Sequence, residues 1–448
     1  MLKRIITLLL AVAMLLSVCA LAGCKNGPKG PVLGPDSNSN SAEEEFFMEM
    51  PSELRGTTVK FATWIDHSQT DTVTCLEGFE ETTGMKYEMV QVNQHDYINK
   101  LMSLVGSDQA PDVVVENGDF PKTLNVLMPL EVETTGLDVK DSFWDQELSQ
   151  FYTVGKYTYL VNGVNSTWGM ASAMTYFNKT ILEENGITNP NELKEQDRWN
   201  VDTMWTLMEQ INSSCGLTRP GTSIVFNDWL AMYGGHQMKW DPKANKFVST
   251  ITSDEVREAV DYLKEAQEAD LIRLFEDHDD SLELGWSVLQ ICGSYGLRNS
   301  PGWFYKMDVD DLGFEVLPKV HEEDAAYPYT SHPRAYGICK GSKNPYGAAY
   351  FLRYFLNGEH YNMDAIFKNE EAKQMYLHLR DNQDYTKLNL AYGIIRVSNA
   401  TGNANSLVKD LLEGTSAQIS VNLAKSSNQC EAAVDAANDL IDKIISKQ

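Results

Sequence analysis

The sequence predicts an α/β protein of two lobes, the first containing a doubly wound half-domain, with a hinge between them. Three observations lead there. Residues 58–115 read β-α-β-α-β, the stretch Gly155–Gly186 places a polar crossing between two apolar strands, and 448 residues are too many for one small core.

The first half-domain is the plainest. Thr58 to Trp64 is a strand, followed by a helix with Val73, Leu76 and Phe79 at helical spacing and Gly84 as its stop. Tyr87 to Val92 is the next strand, and Asp96 to Gly106 a helix striped by Tyr97, Leu101, Leu104 and Val105. Pro111 to Val115 ends in three consecutive valines, the continuous apolar run of a strand covered on both faces. In such sheets ligands sit beyond the carboxyl ends of the strands. Trp64 and Asp66, Gln91 to Asn93, and Glu116 and Asp119 emerge there.

Tyr157 to Val161 alternates as a half-buried strand, and Asn162, Gly163, Asn165 and Ser166 interrupt it with turn chemistry. Met174 to Phe177 then feeds a helix that stops at Gly186. Strands on either side of a polar gap can serve two cores, which makes the gap a hinge and the space beside it a cleft.

Farther on, Trp199 to Ile211 is helical, and Ile224 to Gly235 carries Trp229. Trp240 to Phe247 reads as a hairpin, and Thr252-Ser-Asp-Glu255 as a capping box that opens a helix. Val288 to Cys292 and Gly313 to Leu317 are strands. Tyr336 to Cys339 is a short strand before Asn344-Pro345, an N-cap with proline at the first helical position. Glu431 to Ile445 is an amphipathic helix.

At the N-terminus, Lys3 and Arg4 precede the apolar run Ile5 to Leu16, and Leu21-Ala22-Gly23-Cys24 follows. An uncleaved membrane helix is the alternative on length. The tetrapeptide, however, resembles the bacterial lipobox, whose cysteine accepts a diacylglyceryl group before cleavage. That resemblance implies a signal peptide over 1–23, lipidation at Cys24, and a chain held to the extracellular face of the cell membrane. A flexible tether over 24–54, rich in Gly, Pro, Ser and Asn, would span roughly 30 Å.

A net charge of −26 argues against a nucleic-acid groove. Seven cysteines show no C-x-x-C pair, and the five beyond Cys24 read as small apolar side chains. Enzyme signals fail. Cys292-Gly-Ser-Tyr-Gly296 lacks the first glycine of a nucleophile elbow. Asp308 and Asp310 echo a calcium loop, but its fifth and twelfth positions would be Leu312 and Lys319. Asp277-His278-Asp279-Asp280 reads as a solvated acidic loop. No metal or cofactor site is expected.

Several short markers carry a wider resemblance: Phe79-Glu80 with Thr83-Gly84, Tyr97 with Lys100-Leu101, Ala110-Pro111-Asp112-Val113-Val114, Pro129-Leu130, Gly155-Lys156-Tyr157, Tyr176-Phe177-Asn178-Lys179, Gly186-Ile187, Gly285 with Gly293, and Gly414-Thr415-Ser416. Their order behind a lipobox resembles the family 1 extracellular solute-binding proteins of bacterial ATP-driven (ABC) importers, the maltose-binding-protein-like group. The family's Tyr-Asn-Lys is Phe177-Asn178-Lys179 here.

The resemblance implies the two-lobed type II periplasmic-binding-protein fold, each lobe a doubly wound, mainly parallel sheet, joined by a multi-strand hinge. The first lobe would take 55–167 plus 337–396 and the second 168–336 plus 397–448, with crossings near Asn165–Met170, Tyr336 and Val397. A monomer would close on a carbohydrate, an oligosaccharide, and pass it intact to the permease. A uronate, a peptide or another small solute, or a secreted carbohydrate-active enzyme, are the alternatives.

Sugar clefts use aromatic faces and planar polar groups. The candidates are Trp64, Asp66, Glu116, Asp119, Trp168, Trp229, Tyr295, Trp303 and Arg334. Asp66 and Asp119 could instead cap helices, Trp168 could be hinge packing, Trp229 and Trp303 half-buried structure, and Arg334 an interlobe salt bridge. Tyr295 owes its place to the resemblance, which puts a stacking aromatic at this loop and strengthens Asp119 by putting a hydroxyl-binding carboxylate at its loop.

Overall fold

The computed structural model describes residues 46–47, 49–67, 72–116, 118–168, 172–275, 281–299, 304, 306–330, 334–385 and 419–448. Two compact units are present, Met1–Met50 and Pro51–Gln448. In the first, the rings of Phe46 and Phe47 meet edge to face at 5.3 Å. The expected signal peptide, Cys24, Trp303 and the third crossing near Val397 lie outside the described residues.

In the second unit, strand β1 (Thr58–Thr63) alternates exposed and buried residues before sinking fully into the core. Helix α1 (Val73–Thr83) buries Cys75, Leu76 and Phe79 and ends where Gly84, at φ +67°, donates its N–H to the Glu80 carbonyl. Strand β2 (Lys86–Gln91) is half exposed, as an edge strand can be. Helix α2 (Tyr97–Gly106) is fastened at its start, where the Tyr97 hydroxyl donates to the Ala62 carbonyl at 2.8 Å and accepts from the Val115 N–H at 3.1 Å. Strand β3 (Val113–Val115) is buried on both faces. Burial of each such side chain contributes about 1.5–3 kcal/mol.

The chain then crosses. The expected strand Tyr157–Val161 is shorter than its pattern suggests: Tyr157–Thr158 pairs back on Thr153–Val154, and Val161 makes a lone antiparallel bridge to Tyr336. Strand β4 (Ala173–Asn178) enters the second sheet, whose other strands are β5 (Thr222–Val225), β6 (Ile272–Phe275), β7 (Leu289–Gly293) and β8 (Leu312–Glu315). Its order is β6-β5-β7-β4-β8. β5 runs parallel to β6 and β7, whereas β4 runs antiparallel to β7 and β8, so the sheet is mixed.

Helix α3 (Val201–Ser214) starts at a capping box made by Asn200 and Thr203. A short helix α4 (Phe226–Met232) follows β5. Helix α5 (Asp254–Glu268) buries Val256, Ala259, Val260 and Leu263, and its cap is Ser253, one residue past the expected Thr252, because the Ser253 hydroxyl accepts from the Val256 N–H.

Strand β9 (Tyr336–Ile338) returns to the first sheet antiparallel to β3, giving the order β9-β3-β1-β2. Helix α6 (Pro345–Phe355) begins at Asn344 as expected. Helix α7 (Glu370–Asp381) follows, and helix α8 (Ile419–Ile445) is longer at its start than the amphipathic segment expected from 431. Asn438 of α8 bonds both backbone groups of Phe247, in the hairpin Met238–Asp241/Lys246–Ser249. The five described cysteines are free thiols, four of them buried.

Candidate functional site

The carboxyl end of β1 delivers Trp64, half-buried, with its ring edge to face on Tyr97 at 5.2 Å. Past the end of β7, a 3₁₀ turn over Ser294–Leu297 carries Tyr295. Between the two rings lies Arg334. Its guanidinium carbon is 5.4 Å from the centre of the Trp64 ring and 5.2 Å from that of Tyr295. Each such contact contributes about 0.5–1 kcal/mol where solvent reaches it. The Arg334 carbonyl accepts from the Asn162 side chain at 2.8 Å, so the first crossing positions the second. Among the described residues Arg334 forms no salt bridge, and its guanidinium meets the two rings.

Trp168 is 6% exposed and packs among aromatic groups beside the first crossing. It lies nearly parallel to Phe355 at 6.4 Å, meets His67 edge to face at 5.1 Å, and carries the Arg298 guanidinium 4.4 Å from its ring centre. Arg298 donates to the Thr167 carbonyl at 2.9 Å, and the Tyr376 hydroxyl to the Ser166 carbonyl at 3.1 Å. The Trp168 indole N–H is buried without a hydrogen-bond partner among the described residues.

A cavity of about 20 Å³ remains here, lined by Thr167, Trp168, Ser294, Tyr295, Arg298, Arg334 and Tyr376. That is room for about one water, so a larger molecule enters only if the two sheets part. His67, behind Trp168, is held neutral: burial first, then the charges of Arg334 and Arg298, lower its pKa to about 3.

The carboxylates sit differently. Glu116 follows β3, and its N–H donates to the Ala335 carbonyl at 2.7 Å, one residue from Arg334. Its side chain is buried, with Oε1 accepting from the Phe120 N–H at 3.0 Å. Burial, reinforced by the neighbouring Asp119 charge, raises its pKa to about 7. Asp119 is 8% exposed and Asp66 is exposed. Asp119 does not occupy a helix N-cap, since Pro121 takes that position for the short 3₁₀ helix after it, and α1 is preceded by Thr72, not Asp66.

Trp229 is corrected. It is fully buried under α5, its indole N–H donating to the Ala259 carbonyl at 3.1 Å and its ring 4.9 Å from Tyr262. It belongs to the core of the second sheet. Thus Trp64, Trp168, Tyr295 and Arg334 come together, Glu116 lies one backbone contact away, and Trp229 does not join them. The sequence reading missed His67, Arg298 and Tyr376. Of these only Arg298 had a local signal, two residues beyond the Gly293–Gly296 turn.

The profile described as bacterial extracellular solute-binding protein matches residues 75–368. The chain belongs to this family. No significant match to a curated protein sequence is found.

Solved structures share the fold at low identity. The galacto-N-biose/lacto-N-biose I-binding protein of an ABC transporter from Bifidobacterium longum, in complex with lacto-N-biose, has TM-score 0.63 and 12% identity, covering 85% of this chain and 98% of that one. The cyclic α-maltosyl-1,6-maltose binding protein from Arthrobacter globiformis has TM-score 0.59 and 13% identity, covering 86% and 99%. UgpB from Mycobacterium tuberculosis, in complex with glycerophosphocholine, has TM-score 0.57 and 15% identity, covering 85% and 99%. These likenesses establish the two-lobed periplasmic-binding-protein fold for this solute-binding chain.

Proposed function

We propose that this solute-binding protein takes a carbohydrate, an oligosaccharide, between its two sheets and delivers it unchanged to an ABC-type permease. The observation that carries the reading is the meeting of Trp64 from the first sheet and Tyr295 from the second on one guanidinium, Arg334. Aromatic surface for sugar C–H faces and planar donors for hydroxyls then flank the line along which the sheets part. Structural neighbours that bind lacto-N-biose and a cyclic maltosyl sugar support it.

The lipobox-like Leu21-Ala22-Gly23-Cys24 supports a tether through Cys24 to the outer face of the membrane. Among the described residues no helix is long and apolar enough to cross a membrane. Catalysis has less support. A glycosidase needs two carboxylates flanking the scissile bond, and Glu116 and Asp119 are both buried, with Glu116 engaged by backbone.

The test is a thermal-shift screen over oligosaccharides, peptides and glycerophosphodiesters, followed by calorimetry and product analysis on each hit. Trp64→Ala and Tyr295→Ala are expected to weaken saccharide binding by about 1–3 kcal/mol. Release of shorter sugars would favour the enzyme, and a raised melting temperature with peptides alone would remove the carbohydrate assignment.

A further inference from the structure

The cleft carries a charge pattern that a neutral sugar does not require. Arg334 and Arg298 line one small cavity together with Thr167, Ser294 and Tyr295, and no carboxylate lines it. None of residues 165–168, 293–299 or 334–336 is acidic, in a chain with 63 Asp and Glu. A guanidinium stacks by its faces and keeps its N–H donors in its own plane. Trp64 and Tyr295 take the ring contacts of Arg334, and its donors have no acceptor among the described residues. The Trp168 indole N–H, buried on the same lining, is a further donor without a partner there. The field has a visible effect on His67, whose basicity both arginines suppress in addition to burial and against the pull of Asp66.

Resting on the receptor reading above, we infer that the solute is an anionic saccharide whose carboxylate, as in a uronate, is received by the Arg334 fork beside Arg298. A carboxylate matches that fork through two parallel hydrogen bonds, whereas a hydroxyl uses one donor and leaves the charge unanswered. Hydrogen bonds to a charged group exceed neutral ones in strength. The discrimination therefore falls on the acid group, with the aromatic surface common to acidic and neutral sugars.

The experiment is calorimetry on the whole chain with matched pairs: di- and trisaccharides of galacturonate, glucuronate and mannuronate, each beside its galactose, glucose or mannose counterpart, and glycerol 3-phosphate as a phosphate probe. At least one uronate is expected to bind about tenfold or more tighter than its neutral partner, with a preference that shrinks as salt rises. Arg334→Gln should lower uronate affinity by about 10- to 100-fold and weaken the neutral partner by less, so that the preference for the acid collapses. Arg334→Lys, which keeps the charge and loses the fork, should fall between. Should Arg334→Gln fail to fold, the salt dependence of the native chain and the lysine variant decide.

Neutral sugars bound as tightly as their acids would overturn the anionic assignment and leave the receptor reading standing. A phosphate ester bound above every uronate would overturn the carboxylate. Binding of no saccharide at all would remove both readings.

Discussion

Glu116→Gln separates the burial of a charge from the shape of the side chain that carries it. The carboxyl titrates at about 7 in the folded chain against an ordinary 4.5. A raised acid is protonated in both states below pH 4.5 and contributes nothing there. Between 4.5 and 7 the unfolded state ionises first, so stability falls as pH rises, and above 7 the ionised group destabilises the fold by about 3 kcal/mol. Glutamine has nearly the same shape and does not titrate. Whatever constant offset the amide introduces against Phe120 and Asp119, the stability of Glu116→Gln relative to the native chain should grow by about 2–3 kcal/mol from pH 5 to pH 8. Denaturant midpoints at a series of pH values read this directly. A difference that stays flat across the window would show that Glu116 is ionised at no penalty and that its burial argument is wrong.

At the return strand, Gly337→Ala should destabilise by about 1–3 kcal/mol, because a Cβ there would lie 2.6 Å from the Tyr159 carbonyl oxygen, which is backbone and cannot rotate away; thermal unfolding measures it. Asn162→Ala removes the hydrogen bond to the Arg334 carbonyl and another to the Gly163 N–H. It should lower stability by about 1–2 kcal/mol and weaken solute binding in the same calorimetric assay, whereas a loss of stability alone would detach Asn162 from the site. Trp229→Phe should lower the melting temperature through lost packing and the lost bond to Ala259, with solute affinity unchanged; a drop in affinity would return Trp229 to the cleft.

The first half-domain was legible because each segment carried its own signal: Val73, Leu76 and Phe79 at helical spacing, three valines in a covered strand, Gly84 at a left-handed stop. Asn344-Pro345 likewise names a helix start from two residues. The failures come where a neighbour decides. Tyr157 to Val161 alternates like one strand, yet the Gly155-Lys156 turn folds its first residues onto Thr153–Val154 and leaves Val161 to Tyr336. Ser253 displaced Thr252 as cap through a single hydroxyl.

At the site, strand ends pointed to Trp64 and the family pattern to Tyr295, but that Arg334 lies between them depends on two sheets meeting. Trp229 follows a strand much as Trp64 does, and only the packing of α5 over it distinguishes core from cleft. His67 and Tyr376 have no local pattern, since their roles come from what Trp168 and the first crossing place beside them.

The reciprocal hydrogen bonds between Val161 and Tyr336, 2.9 and 2.8 Å, give the two described crossings a single backbone rung, beside which the Asn162 side chain bonds the Arg334 carbonyl. A ladder of many rungs would resist bending, and none at all would let the strands slip past each other. One rung forbids sliding but permits rotation, in the manner of a pin through two plates. Arg334 lies two residues before that pin and Trp168 in the turn seven residues beyond it, so a rotation about the pin would carry both.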